Sequence, residues 1–128
     1  MKLLLDTHLL LWAANNSAQL SKTARKLMND PQHQLFFSVI SLWEIGIQAN
    51  LGRKDFYVDA RILRRELLNN DYQELVLTAE HTLAISELPL LHRDPFDRML
   101  IAQANIENMT LLTSDSLVSQ YPGAIKKV

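Results

Sequence analysis

Short apolar runs alternate with amphipathic stretches along the chain, and most of the runs close on an acid, a serine or a threonine. Lys2 to Asp6 fits a buried parallel strand whose last residue emerges at its carboxyl end. Leu9 to Ala14 follows as a helical turn, and Ser21 caps a helix to Asn29 that Asp30-Pro31 stops. Gln34 to Val39 has the aromatic and β-branched character of a second strand. Ser41-Leu42-Trp43-Glu44 matches a capping box and opens a helix that ends at Gly52. Asp55 to Tyr57 reads as loop, and Asp59 to Leu68 as a helix with a basic side of Arg61, Arg64 and Arg65. Leu75 to Leu77 is a third strand, and Thr78 caps a helix that Pro89 breaks. Asp94 caps a helix with Pro95 as its first residue, because proline brings a helical φ and keeps the residue before it extended. Thr110 to Thr113 is a fourth strand, Asp115 begins a short helix, and a last strand falls at Ala124 to Val128.

Strands alternating with helices predict a parallel sheet covered on both faces, an α/β fold in which sites lie outside the carboxyl ends of the strands. That expectation gives the acids a common address. Asp6 ends a strand, Glu44 and Asp115 begin helices that leave two others, and Asp97 lies in the first turn of the Asp94 helix. Asp97 and Glu44 each head an apolar stripe, Asp97 below Leu100, Ile101 and Ala104, and Glu44 below Ile47 and Leu51.

At 128 residues and 48% hydrophobic content the chain makes one globular domain spanning 1–128. A formal net charge of -1 provides no global basic field, so a polyanion partner must be held by a local patch or through metal. The absence of cysteine excludes disulfides and thiolate metal sites and suits a cytoplasmic protein. Asp6 and His8 interrupt the apolar run a signal peptide needs, so the N-terminus reads as mature sequence, and no apolar run approaches the ~20 residues of a membrane helix.

Two carboxylates about 4 Å apart repel by about 4 kcal/mol at an effective dielectric of about 20, so four gathered together need counter-charge. Helix dipoles and a neighbour such as Arg98 offset part of this, and a hard divalent cation offsets far more. Oxygen-only ligation points to Mg²⁺, with Mn²⁺ as a substitute, rather than zinc. His8 and His92 have no metal-motif spacing and read as hydrogen-bonded structural groups. Such a pocket suits hydrolysis of a phosphodiester, whose backbone a bare acidic cluster would repel. Against this stands simple capping: acids at helix starts stabilise the dipole by roughly 0.3–1 kcal/mol each.

Leu4-Leu5-Asp6-Thr7-His8, Ser38-Val39-Ile40-Ser41-Leu42-Trp43-Glu44-Ile45, His92-Arg93-Asp94-Pro95-Phe96-Asp97-Arg98 with Ile101-Ala102-Gln103-Ala104, and Leu112-Thr113-Ser114-Asp115 together resemble the PIN-domain family. The ordered set is most similar to the VapC-type toxin ribonucleases of bacterial toxin–antitoxin modules. The resemblance covers essentially the whole chain. It implies a three-layer α/β/α fold with a central, mainly parallel sheet, and a Mg²⁺-dependent endoribonuclease. It also implies a homodimer silenced by a small VapB-like antitoxin. The family's acidic quartet falls on Asp6, Glu44, Asp97 and Asp115, as metal ligands and catalytic residues, with Thr7 and Thr113 orienting the first and last acids and Asp94 assigned to capping. Three alternatives compete. A receiver-like signalling domain would want an adjacent acidic pair after the first strand, where only Asp6 stands, and a haloacid-dehalogenase-type phosphatase would want a second acid at His8. A non-catalytic binding module of the same fold would have no reason to tolerate the repulsion of a full quartet.

Overall fold

Apolar strands of three to five residues bury their backbone polar groups only by pairing side by side, and here every pairing is parallel, in the order β3-β2-β1-β4-β5. The computed structural model describes residues 1–128, the side chain of Asp55 excepted. The strands are β1 (Lys2–Leu5), β2 (Gln34–Ser38), β3 (Gln73–Leu75), β4 (Thr110–Thr113) and β5 (Ile125–Lys127). The helices are α1 (Thr7–Ala14), α2 (Lys22–Met28), α3 (Val39–Asn50), α4 (Ala60–Asn69), α5 (Ala79–Ala84) and α6 (Pro95–Glu107), joined by 3-10 turns at Lys54–Phe56, Ile85–Glu87 and Val118–Gln120.

The strand alternation divides the core in two. Leu3, Leu5, Phe37 and Leu112 face α1, α2 and α4, whereas Leu4, Phe36 and Leu111 face α6. This is the three-layer α/β/α arrangement expected of the sequence. The chain winds outward from β1 to β3, then α5 and α6 carry it back across to β4 on the other flank of β1. The strand order therefore reverses between β1 and β4, where ligands lodge in open parallel sheets.

Four segments differ from expectation. The third helix, α3, is capped by Ser38, not Ser41: Ser38 Oγ accepts the Ile40 amide at 3.0 Å and donates to Gln103 Oε1 at 2.6 Å. Starting three residues earlier moves Glu44 out of the first turn, so the capping box expected at Ser41 to Glu44 does not form. The third strand is Gln73–Leu75, because its only neighbour, β2, ends at Ser38 opposite Leu75 and leaves Val76 and Leu77 nothing to pair with. Asp6 caps α1 rather than closing β1. The loop expected at Asp55 to Tyr57 is partly the 3-10 turn Lys54–Phe56, with the Asp55 side chain outside the described residues.

A buried arginine and tyrosine set the segment that leads into α6. Arg98 donates to Pro89 O at 2.9 Å, Ile85 O at 3.2 Å and Tyr121 Oη at 3.1 Å. Tyr121 Oη also accepts the His92 amide at 2.8 Å and donates to His92 O at 3.2 Å. Tyr121→Phe removes a group that satisfies a buried cation and a backbone amide, so it is expected to lower unfolding free energy by about 1–3 kcal/mol with the fold retained, read from denaturant titration. An unchanged midpoint contradicts this role.

Candidate metal centre

The acids meet because the elements carrying them end at one edge. Asp6 follows β1; its Oδ1 accepts the Leu9 amide at 2.9 Å and its Oδ2 the Thr113 hydroxyl at 2.6 Å. Thr113 closes β4, and its oxygen accepts the Asp115 amide at 3.0 Å, so one hydroxyl ties the ends of the two central strands together. Thr7 does the same between α1 and α3. Its hydroxyl donates to Glu44 Oε1 at 2.7 Å, and with its single proton committed it accepts from Ser41 Oγ at 2.9 Å.

The remaining acids come from α6 and the turn after β4. Asp94 Oδ1 accepts the Phe96 and Asp97 amides at 2.8 and 3.3 Å, the cap expected from Asp94-Pro95. Asp97 Oδ2 lies 2.8 Å from His92 Nε2, and with the carboxylate ionised the imidazole donates there. Asp115 Oδ1 accepts the Leu117 and Val118 amides at 2.7 and 3.1 Å. Asp6, Glu44, Asp94, Asp97 and Asp115 all line one cavity of about 360 Å³, with His8, Trp12, His92 and Ser114.

Electrostatics separate these acids. Burial pushes the Asp6 carboxyl up, against the hydrogen bonds from Thr113 and Leu9. Glu44 is pushed up to about 7, by burial first and then by the charges of Asp94, Asp97 and Asp6, while the Thr7 bond pulls it down. Asp97 is pushed up to about 6 by burial and by Asp94, against its bond to His92. The acids named as raising Glu44 and Asp97 are thus Asp6, Asp94 and Asp97, and Asp115 lines the cavity without being among them. Asp94 caps with one oxygen only, and single ligand atoms of His92, Asp94 and Asp97 fall within 4.8 Å of one another. By sequence Asp94 is a cap and His92 a structural group; an N-cap uses one carboxylate oxygen, which is the signal that leaves the second open to other use.

Arg98 does not supply the counter-charge expected of it. One residue past Asp97, it sits about 100° round the helix and reaches Pro89, Ile85 and Tyr121 instead. Among the described residues no lysine or arginine lines the cavity. Clustered carboxylates held up toward neutrality, with no lysine or arginine lining the cavity, are a donor set of the kind a hard divalent cation takes, and the residues fit such an ion.

The sequence profile of the PIN domain matches residues 3–123. Among curated protein sequences none matches this chain. Three solved structures share the architecture. VapBC2 from Rickettsia felis, bound to a DNA fragment from their promoter, superposes with TM-score 0.72 at 18% identity over 99% of this chain and 98% of that one. DNA-bound VapBC from Salmonella typhimurium gives 0.66 at 15% over 99% and 98%. VapBC-1 from nontypeable Haemophilus influenzae gives 0.60 at 20% over 90% and 87%. At such identities the likeness is one of fold.

The raised acids dictate a pH dependence. Folded Glu44 and Asp97 retain protons that the unfolded chain has released, so metal-free stability is greatest at low pH and is lost as pH rises from about 4 through about 7. Each rise alone corresponds to a loss on the order of 3 kcal/mol, and because the Asp97 charge is part of what raises Glu44 the combined loss is less than their sum. Asp97→Asn should melt no lower than the parent at pH 8 without metal, and Mg²⁺ should raise the parent's melting temperature more than the variant's. Stability that climbs across this window contradicts the cluster.

Proposed function

The chain belongs to the PIN-domain family, and from that premise we propose that it is a metal-dependent endoribonuclease of the VapC toxin type. The observation that carries this reading is the convergence of Asp6, Glu44, Asp97 and Asp115 from four separate elements on one cavity with no lysine or arginine in its lining among the described residues. Asp6, Glu44 and Asp97 would hold a Mg²⁺ or Mn²⁺ ion with Asp115 at the rim, and Asp94 and His92 stand close enough to complete the donor set. When bound, the ion supplies charge neutralisation and Lewis acidity toward a phosphodiester.

The chain's own groups do the positioning. Thr7 holds Glu44 Oε1, Thr113 holds Asp6 Oδ2 and His92 holds Asp97 Oδ2. Glu44 Oε2, Asp97 Oδ1 and Asp115 Oδ2 stay outside the hydrogen bonds among the described residues, so each acid has an oxygen fixed in place by its partner yet able to engage a ligand. Burial of Asp6 and Glu44 keeps the dielectric low around the reacting phosphate. RNA as substrate and an antitoxin as partner come from the family reading; the structural neighbours are VapBC complexes, and a protein that must silence an anionic cavity does so most directly by placing an Arg or Lys among its carboxylates.

One assay tests all of this. Purified protein is expected to cleave single-stranded RNA with Mg²⁺ or Mn²⁺ and to stop in EDTA, and Asp97→Asn or Glu44→Gln should lose about a hundredfold or more. Added antitoxin should stop cleavage until the basic residues of its tail are reversed in charge. Undiminished cleavage in EDTA, or by Asp97→Asn, overturns the reading.

A further inference from the structure

Trp43 immediately precedes Glu44 in α3, yet it is 61% exposed. Its ring meets Phe96 edge to face, centroids 5.4 Å apart at 74°. Phe96 lies between Asp94 and Asp97, two of the acids that line the cavity. The indole is therefore braced from the acid side, and most of its surface stays uncovered.

The space beside the indole has a particular composition. Trp43 borders a groove of about 590 Å³ between α3 and α4, whose walls include Gly46, Asn50, Asp59 and Arg61. Gly46 stands one helical turn beyond Trp43, and a Cβ there would meet nothing within 4 Å, so the flank of the indole is open to a flat ring. Arg61 brings a cation to the opposite wall, Asn50 an amide that can hydrogen-bond, and Asp59 a carboxylate that caps α4, while Leu42, Ile47 and Ala60 make the rest of the lining apolar. An aromatic face beside an apolar lining, with a cation across from it, suits a flat heterocycle carried on a phosphate backbone.

Resting on the ribonuclease reading above, we propose that Trp43 is a stacking platform for an unpaired nucleobase beside the phosphodiester held in the acid cavity, with Arg61 contacting an adjacent phosphate. A base inside a duplex has both faces occupied by its neighbours, so the platform selects single-stranded or loop RNA.

Steady-state cleavage of one single-stranded oligoribonucleotide, and of copies carrying a single abasic position near the cut, tests this on the parent, Trp43→Ala, Trp43→Phe and Arg61→Gln. Trp43→Ala should raise KM about tenfold or more and change kcat little, with Trp43→Phe restoring most of the loss. One abasic position should cost the parent the same factor and cost Trp43→Ala nothing further. Arg61→Gln should flatten the salt dependence of KM. Because the indole is exposed, Trp43→Ala should melt like the parent; if it does not, Trp43→Phe and the abasic series on the parent still decide. An unchanged KM in Trp43→Ala, equal abasic costs in both proteins, or a loss of partner-protein binding with KM intact each overturns the platform while leaving the nuclease standing. A parent that cleaves no RNA overturns the nuclease reading and the platform with it.

Discussion

Mutual repulsion among carboxylates that the fold has partly withdrawn from water is the constraint on which the rest of this structure turns. Asp6 and Glu44 are each 5% exposed, and Glu44 feels the charges of Asp94, Asp97 and Asp6 at once. At about 4 kcal/mol per close pair at an intermediate dielectric, such an arrangement is expensive in the absence of a cation. Capping does not account for it. A cap needs one carboxylate at one helix start, whereas Glu44 lies in the second turn of α3 and caps nothing.

The sheet order makes this gathering achievable in a chain of 128 residues. Because β1 lies between β2 and β4, the residues that follow β1 and β4 are adjacent, and Thr113 spans them with two hydrogen bonds. The early start of α3 at Ser38 then swings Ser41 and Glu44 onto Thr7. Behind the site, Gln103 receives the Ser38 hydroxyl, and His81 accepts the Thr78 amide through Nδ1, which leaves Nε2–H to donate to Glu107. Together with the Arg98–Tyr121 lock on the 89–92 segment, these buried bonds fix the two helix starts that carry Glu44 and Asp97.

What could be read in the sequence was what local chemistry decides. Asp94-Pro95 specifies its own helix start through proline's φ, and Thr110 to Thr113 matches the fourth strand residue for residue. The alternation of elements was sufficient for the parallel three-layer fold and for bringing four acids to one edge. What could not be read depended on partners distant in the chain. Ser41 heads a capping-box pattern, but β2 ends at Ser38 and the helix starts there instead; Leu75 to Leu77 looks like a strand until its neighbour stops at Ser38. Arg98 adjoins Asp97 in sequence but points away from it by helical phase, and Asp94, besides capping α6, stands with His92 and Asp97 in the cluster.

Whether these carboxylates form a divalent-cation site is decided by anomalous scattering from crystals soaked in Mn²⁺ at neutral pH. An anomalous peak is expected inside the cavity, about 2.0–2.3 Å from oxygens of at least two among Asp6, Glu44, Asp94 and Asp97, and it should disappear in Asp97→Asn. A cavity that holds only water at millimolar Mn²⁺, with the acids in hydrogen-bonded, protonated pairs, would contradict such a site.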